Sequence, residues 1–173
     1  MTPYLQMALN NAWANATFYA ALGALPPGAF LAERPGFFPS LCRTLNHIYE
    51  VDLYYIDALE DGGQGRAVYQ RDDVEDATAL GLLQARADER LAQFCRSVTP
   101  DTLVEVRRTE RRDGETEEEV GALLLHLFQH QIHHRGQAHV QLQDAGLAPP
   151  QLDDFHLVHG RAPTAEAYFR GAR

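Results

Sequence analysis

The stretch that most constrains this chain is Gln129 to Gln137, QHQIHHRGQ, which lies within an apolar-periodic run from about Val120 to Ala145. Four histidines fall within nine residues of this run: His126, His130, His133 and His134. On a helix, side chains four residues apart lie one turn above each other, and a histidine pair at that spacing can bind one metal ion. We therefore interpret the rest of the chain as a scaffold around this run.

The helical phase of the run selects among the histidines. At about 100° per residue, one stripe carries Val120, Leu123, Leu124, Leu127, Gln131, Ala138, Leu142 and Ala145. His134 falls inside this stripe and His130 at its edge. His133 and His139 project away from it, and His126 is marginal. The pair predicted to bind metal is therefore His130 with His134, facing the interior where bundle proteins assemble metal sites.

A third ligand is expected from elsewhere, because two histidines rarely hold a transition metal alone. A second periodic segment begins at Ser40, a residue suited to cap a helix, and runs to about Leu59. His47 lies on the flank of its apolar stripe and is the best candidate. His156 and His159 are weaker candidates, because they fall in a region rich in Gly, Pro and Asp.

Two motifs together carry a resemblance to a known family. They are the tripeptide LNH ending at His47 and the string HQIHHRGQ from His130 to Gln137. In order and spacing, residues 1–146 resemble the DinB family of the DinB/YfiT-like superfamily. The resemblance implies a four-helix bundle and a metal held by three histidines, which in this sequence are His47, His130 and His134. It also implies a homodimer, for which Tyr49, Leu53 and Phe128 lie off the predicted core stripes.

The remaining pattern agrees with an all-α, four-helix bundle of the DinB/YfiT-like type. Helices are predicted from Tyr4 to about Ala24, from Ser40 to about Leu59, from about Val74 to Val98 and from about Val120 to Ala145. Between the third and fourth, the turn signal Asp113-Gly114 predicts a short β-hairpin over Leu103 to Thr116. We expect a single domain over residues 1–173, with a C-terminal tail from about residue 147 that contains a short helix from Thr164 to Phe169.

Composition excludes several functions. With a formal net charge of −9 and a pI near 5.3, the chain lacks the basic surface that nucleic-acid binding requires. No apolar run reaches the roughly 20 residues needed to span a bilayer, and no secretory leader is recognisable, so a cytoplasmic protein is expected. Cys42 and Cys95 make no C-x-x-C pair and are predicted to be buried free thiols.

Asp52 falls near the centre of the apolar stripe of the second helix. An unpaired carboxylate there would be costly. We expect it to form a salt bridge or hydrogen bond, with Arg135, Gln131 or another helix. The functional alternative is that Asp52 orients a metal-bound histidine.

Three neutral imidazoles and a water make an open site, in which a divalent metal acidifies the water or polarises a substrate atom. Such ligands suit zinc or nickel, and also iron or copper. The expected reaction on a small-molecule substrate is hydrolysis or activation of a low-molecular-weight thiol, since related branches of the superfamily include thiol transferases and a thiol-dependent isomerase. The general base is not identified, and its candidates are Glu50, Asp52, Tyr54 and His133.

The competing hypothesis is a non-catalytic metal-binding protein of the stress response, or a bundle whose histidines merely pack. The fourth coordination position separates these hypotheses. An exchangeable water beside a pocket favours an enzyme, whereas a protein ligand such as His126 or Asp52 favours a structural or storage site.

Overall fold

Four long helices form the frame of the molecule in a computed structural model that describes residues 1–153 and 161–172. They are α1 (Pro3–Leu22), α2 (Leu41–Leu59), α3 (Ala77–Ser97) and α5 (Val120–Asp144). Shorter elements are a 3-10 helix (Gly65–Tyr69), α4 (Pro100–Leu103), strands β1 (Val106–Arg111) and β2 (Gly114–Glu119), and α6 (Ala162–Gly171). The predicted all-α bundle with one hairpin is confirmed. Within the described ranges, no helix combines the length and apolar character needed to cross a lipid bilayer.

Side-chain caps mark where three of the four long helices begin, namely α1, α2 and α3. The Ser40 side chain accepts a hydrogen bond of 3.1 Å from the Arg43 backbone N–H, as the sequence predicted. Thr2 caps α1 and Asp76 caps α3 in the same way. Each side chain satisfies an N–H that the first helical turn leaves without a partner.

The helices are arranged around one apolar core. α1 packs most extensively on α3, and α2 on α5, while α2 also contacts α3. The largest fully buried side chains include Phe18, Ile48, Leu91 and Leu124, one from each long helix. α1 and α5 contact each other less than the other neighbouring long helices do.

A buried polar network connects α1, α3 and α5 across this core. Arg135 Nη1 donates hydrogen bonds of 2.6 and 2.8 Å to the amide oxygens of Asn11 and Asn15. The nitrogens of the same two amides donate to the carboxylate of Asp88, at 2.9–3.1 Å. The two asparagines therefore join a buried cation to a buried carboxylate. Burial raises the pKa of Asp88 to about 6, although these donors and Arg135 oppose the shift.

Asp52 extends the network to α2. It is fully buried, and its Oδ2 accepts a hydrogen bond of 2.7 Å from Gln84 Nε2 on α3. The prediction that Asp52 bonds to another helix is thus confirmed. Burial, and then the charge of Asp88, raise the pKa of Asp52 to about 8. No hydrogen bond joins Asp52 to a histidine in the described part of the chain, so its role in orienting a ligand finds no support.

The hairpin starts later than the sequence predicted. Pro100–Leu103 forms a helical turn, in which Thr99 accepts a hydrogen bond from the Thr102 backbone N–H. A capping threonine followed by proline is a typical helix start, so the first strand begins only after this turn, at Val106. β1 and β2 are antiparallel, with Arg111 opposite Gly114 at the turn.

α6 begins before and ends after the helix predicted from Thr164 to Phe169, and is therefore longer. It packs on α1 and α3, outside the bundle, where Phe169 is buried. The Tyr168 hydroxyl donates to the Gly81 carbonyl oxygen. The weaker ligand candidates His156 and His159 lie outside the described residues.

The side chains predicted for a dimer face are mostly interior. Tyr49 and Phe128 are buried, and Leu53 is half-buried. The guanidinium of Arg71 covers the Tyr49 ring, 4.3 Å from its centroid. The loop that carries Arg71 therefore covers a face of α2 that the sequence pattern predicted to be exposed.

Candidate metal centre

Three imidazoles meet in the groove between α2 and α5. His47 comes from α2, and His130 and His134 from successive turns of α5. The Nε2 atoms of His47 and His130 are 3.0 Å apart, and one nitrogen from each of the three rings lies within 4.8 Å of the others. Nitrogens bound to one tetrahedral zinc at about 2.05 Å are roughly 3.3 Å apart. The cluster therefore has the dimensions of a transition-metal site.

The protonation state of the rings suits metal binding. Burial, followed by the neighbouring His134 and Arg43, lowers the pKa of His47 to about 4. Burial and the surrounding histidines lower the pKa of His130 to about 3, and burial also lowers that of His134. All three imidazoles are consequently neutral near pH 7, which is the form that coordinates metal.

Gln137 orients the third imidazole. His134 Nδ1 and Gln137 Oε1 are 2.8 Å apart, so the ring donates its Nδ1 proton and keeps Nε2 free as a ligand. The Gln137 amide nitrogen lies 3.0 Å from His133 Nε2, to which it donates. Gln137 was not predicted to have a role, although its spacing of three residues from His134 places the two side chains on one face of the helix.

Two phenylalanines from the loop between α1 and α2 border the cluster. The Phe38 ring centroid is 4.5 Å from that of His47 and 5.7 Å from that of His134. The Phe37 ring centroid is 6.3 Å from that of His134, and Phe37 is 75% exposed. An aromatic side chain this exposed beside three imidazoles provides an apolar contact surface at the mouth of the site. The sequence analysis did not identify either ring.

On the hairpin side, a row of rings leads away from the cluster. The centroids of His126 and His130 are 6.3 Å apart, and those of His126 and Tyr55 are 4.9 Å apart. Arg111 of β1 donates a hydrogen bond of 3.2 Å to the Tyr55 hydroxyl. The hairpin therefore contacts the site through intermediate rings.

The cluster has three members in the described part of the chain, and neither His126 nor Asp52 belongs to it. Cys42 and Cys95 are buried free thiols, as predicted. Burial raises the pKa of Cys42 to about 11, so it stays a protonated thiol. Within residues 1–153 and 161–172 the geometry thus brings together three candidate ligands, which is the number that an open site requires.

The candidates for a general base differ in their surroundings. The Tyr54 hydroxyl donates to the Glu110 carbonyl oxygen, and His133 is occupied by Gln137. Asp52 belongs to the buried network described above. Glu50 lies one turn beyond His47 on α2 and is half-buried. Burial, and then Asp73, raise the pKa of its carboxyl group.

A helical bundle with three histidines converging from two helices defines a class of candidate metalloproteins. The chain belongs to the DinB family, whose model matches residues 1–164. It is 28% identical over 153 residues to Protein DinB of Bacillus subtilis strain 168, across 83% of this chain and 86% of that protein. The fold is similar to that of a DinB-like protein from Bacillus cereus ATCC 10987, with a TM-score of 0.62 and 18% identity over 80% of this chain and 90% of that one.

Proposed function

We propose that this protein is a metal-dependent enzyme in which His47, His130 and His134 bind one divalent ion. The supporting observation is the convergence of three neutral imidazole nitrogens within 4.8 Å of one another. Zinc or nickel fits this ligand set best, and iron or copper is also compatible with imidazole ligands. A metal held there would supply Lewis acidity at its remaining coordination position, where water or a substrate atom binds.

The proposed reaction is hydrolysis of a small molecule, or transfer of a low-molecular-weight thiol. Two features beside the cluster support a reaction site. The exposed ring of Phe37 can hold the apolar part of a substrate close to the open position. In addition, the described residues place no thiolate or carboxylate in the cluster, either of which would close the site as in structural zinc centres.

Glu50 is the proposed general base. Residues three apart on a helix share a face, so Glu50 and His47 project toward the same side of α2. The raised pKa of its carboxyl group, caused mainly by burial, brings its proton affinity closer to that of a bound water. In this assignment Glu50 removes a proton from the attacking water or thiol, while Gln137 holds the His134 ring in place.

The test is activity with matched variants. Metal-loaded protein is assayed for hydrolysis of a chromogenic ester and for conjugation of cysteine to a chromogenic electrophile. We expect Glu50→Gln to lower kcat by about 10²–10⁴-fold, with unchanged metal content, because general-base catalysis contributes that much. Glu117→Gln, at an exposed position of β2, serves as the control.

Loss of activity on metal removal and its return on reloading complete the expected result. If metal is bound but both reactions proceed no faster than with metal-free protein, the proposal of a hydrolase or thiol transferase is wrong. A metal-binding protein without catalytic activity is then the conclusion.

We also propose a homodimer formed through α5. Leu125, Ile132 and Val140 are exposed on this helix at intervals of seven and eight residues, which corresponds to one face over more than four turns. The protein is expected to sediment as a dimer and Leu125→Glu as a monomer. An unchanged sedimentation coefficient for Leu125→Glu would contradict this interface, for which the exposed Leu82→Glu on α3 is the control.

A further inference from the structure

A cavity of about 620 Å³ lies on the side of α5 opposite the histidine cluster. It occupies the seam between α1 and α5, and residues 149–153 form another wall. Its lining includes Met7, Asn10, Ile132, Gly136 and Arg161, and none of the three clustered histidines. The volume is within the range of pockets that bind small molecules.

Arg161 is the unusual residue of this cavity. Its side chain is 5% exposed, and its guanidinium lies 4.0 Å from the centroid of the Trp13 ring. Nη1 donates a hydrogen bond to Asn10 Oδ1. Nη2 is buried and has no hydrogen-bond partner among the described residues. No carboxylate of those residues lies within the 4.0 Å of an ion pair.

A buried guanidinium without a counterion is energetically unfavourable, because its charge loses hydration and gains no opposite charge in return. Arg135, the other buried arginine that lines the cavity, reaches Asp88 through two asparagines. Arg161 has an aromatic ring and an amide instead. The cation–π contact offsets part of the cost, and the amide oxygen satisfies one donor. An anion in the cavity would give Nη2 the acceptor that the described residues do not provide.

The rest of the lining is suited to an apolar chain. Met7, Ile132, Pro149 and Leu152 supply hydrocarbon surface around the cavity. Asp153 also lines it, but its carboxylate accepts a hydrogen bond from the Gln151 amide. Arg161 is the lining cation that the described residues leave with an unpaired donor, and the apolar side chains beside it suit a ligand with a single anionic group and a hydrocarbon body.

From these contacts we propose that the seam between α1 and α5 is a second small-molecule site, which binds an apolar carboxylate through Arg161. The carboxylate accepts from Nη2, and the hydrocarbon chain lies against Met7 and Leu152. The site is separate from the histidine cluster and does not depend on the proposed enzymatic function.

The test is calorimetric titration of the full-length protein with octanoate, and with 1-octanol as the neutral analogue of equal chain length. Octanoate is expected to bind with a Kd below about 1 mM, and octanol at least 10-fold more weakly. Arg161→Gln is expected to weaken octanoate binding about 10–100-fold and leave octanol binding unchanged, because it removes one charge-assisted hydrogen bond. The His130→Ala, His134→Ala double variant is expected to bind octanoate like the wild type.

A second variant tests the cavity itself. Gly136 lines the cavity, and a Cβ built on it meets no atom within 4 Å. Leucine is also a better helix former than glycine, so Gly136→Leu is expected to fold and to lose octanoate binding as its side chain fills the space. Equal binding of octanoate and octanol, no saturable octanoate binding near 1 mM, or wild-type affinity in Arg161→Gln would overturn the proposal. Loss of octanoate binding in the histidine double variant would assign the ligand to the cluster and overturn it equally.

Discussion

Replacing Arg135 by methionine is expected to lower the free energy of unfolding by about 3–5 kcal/mol, because it removes one partner of a buried charge network. The guanidinium is 5% exposed and orients the amides of Asn11 and Asn15. Without it, two amide oxygens lose their donor, and the buried carboxyl groups of Asp52 and Asp88 lose the cation that lowers their pKa values.

The loss of unfolding free energy caused by Arg135→Met is expected to grow as the pH rises. The folded-state pKa values of Asp52, about 8, and Asp88, about 6, are already raised above the ordinary value for aspartate of 3.8. Stability from such groups is fully present at low pH and is lost as pH rises through the folded pKa. Removing Arg135 raises both pKa values further, so the variant takes up more protons on folding and loses stability faster between about pH 6 and pH 9.

The measurement is urea unfolding monitored by circular dichroism at several pH values. Arg96→Met is the matched control, since Arg96 pairs with Glu166 on the surface and exposed pairs contribute about 0–1 kcal/mol. If Arg135→Met lowers the free energy of unfolding no more than Arg96→Met does, the network does not stabilise the bundle as described.

The second large effect concerns the cluster. His130→Ala is expected to weaken zinc binding by more than about 100-fold, since even residues that only orient a ligand contribute about 10–100-fold. Its Nε2 lies 3.0 Å from that of His47, so the substitution removes a central donor. Gln137→Ala is expected to weaken zinc binding by about 10–100-fold, because it frees the His134 ring to rotate.

Competition with a chromophoric chelator measures both affinities. His139→Ala is the control, because His139 is on the same helix but its Nε2 donates to the Pro150 carbonyl oxygen and it is not part of the cluster. Equal losses in His130→Ala and His139→Ala would mean that the zinc is bound elsewhere.

Periodicity predicted the four long helices and two of the clustered histidines. A core stripe with a spacing of 3.6 residues is a local property. The sequence alone therefore predicts which face of α5 is buried and that His134 points inward. His47 was selected partly through the family resemblance, because which helix lies beside α5 is a tertiary property that periodicity alone does not contain.

The features that were missed depend on segments without regular structure. Phe37 and Phe38 reach the cluster because of the path of the loop after α1, and Arg71 covers Tyr49 because of the loop after the 3-10 helix. Neither path has a period that a sequence pattern can reveal. The buried network was foreseen only in part, at Asp52, because its asparagines and glutamine are individually unremarkable in an amphipathic helix.

The most direct test of the central claim is X-ray absorption spectroscopy of the zinc-loaded protein, prepared without an affinity tag. One zinc per chain is expected, with imidazole scattering from three histidines and one or two further oxygen ligands. In the His47→Ala variant, the fitted number of imidazoles is expected to fall from three to two. A sulfur ligand, a fourth imidazole, or a spectrum unchanged by His47→Ala would contradict the proposed centre.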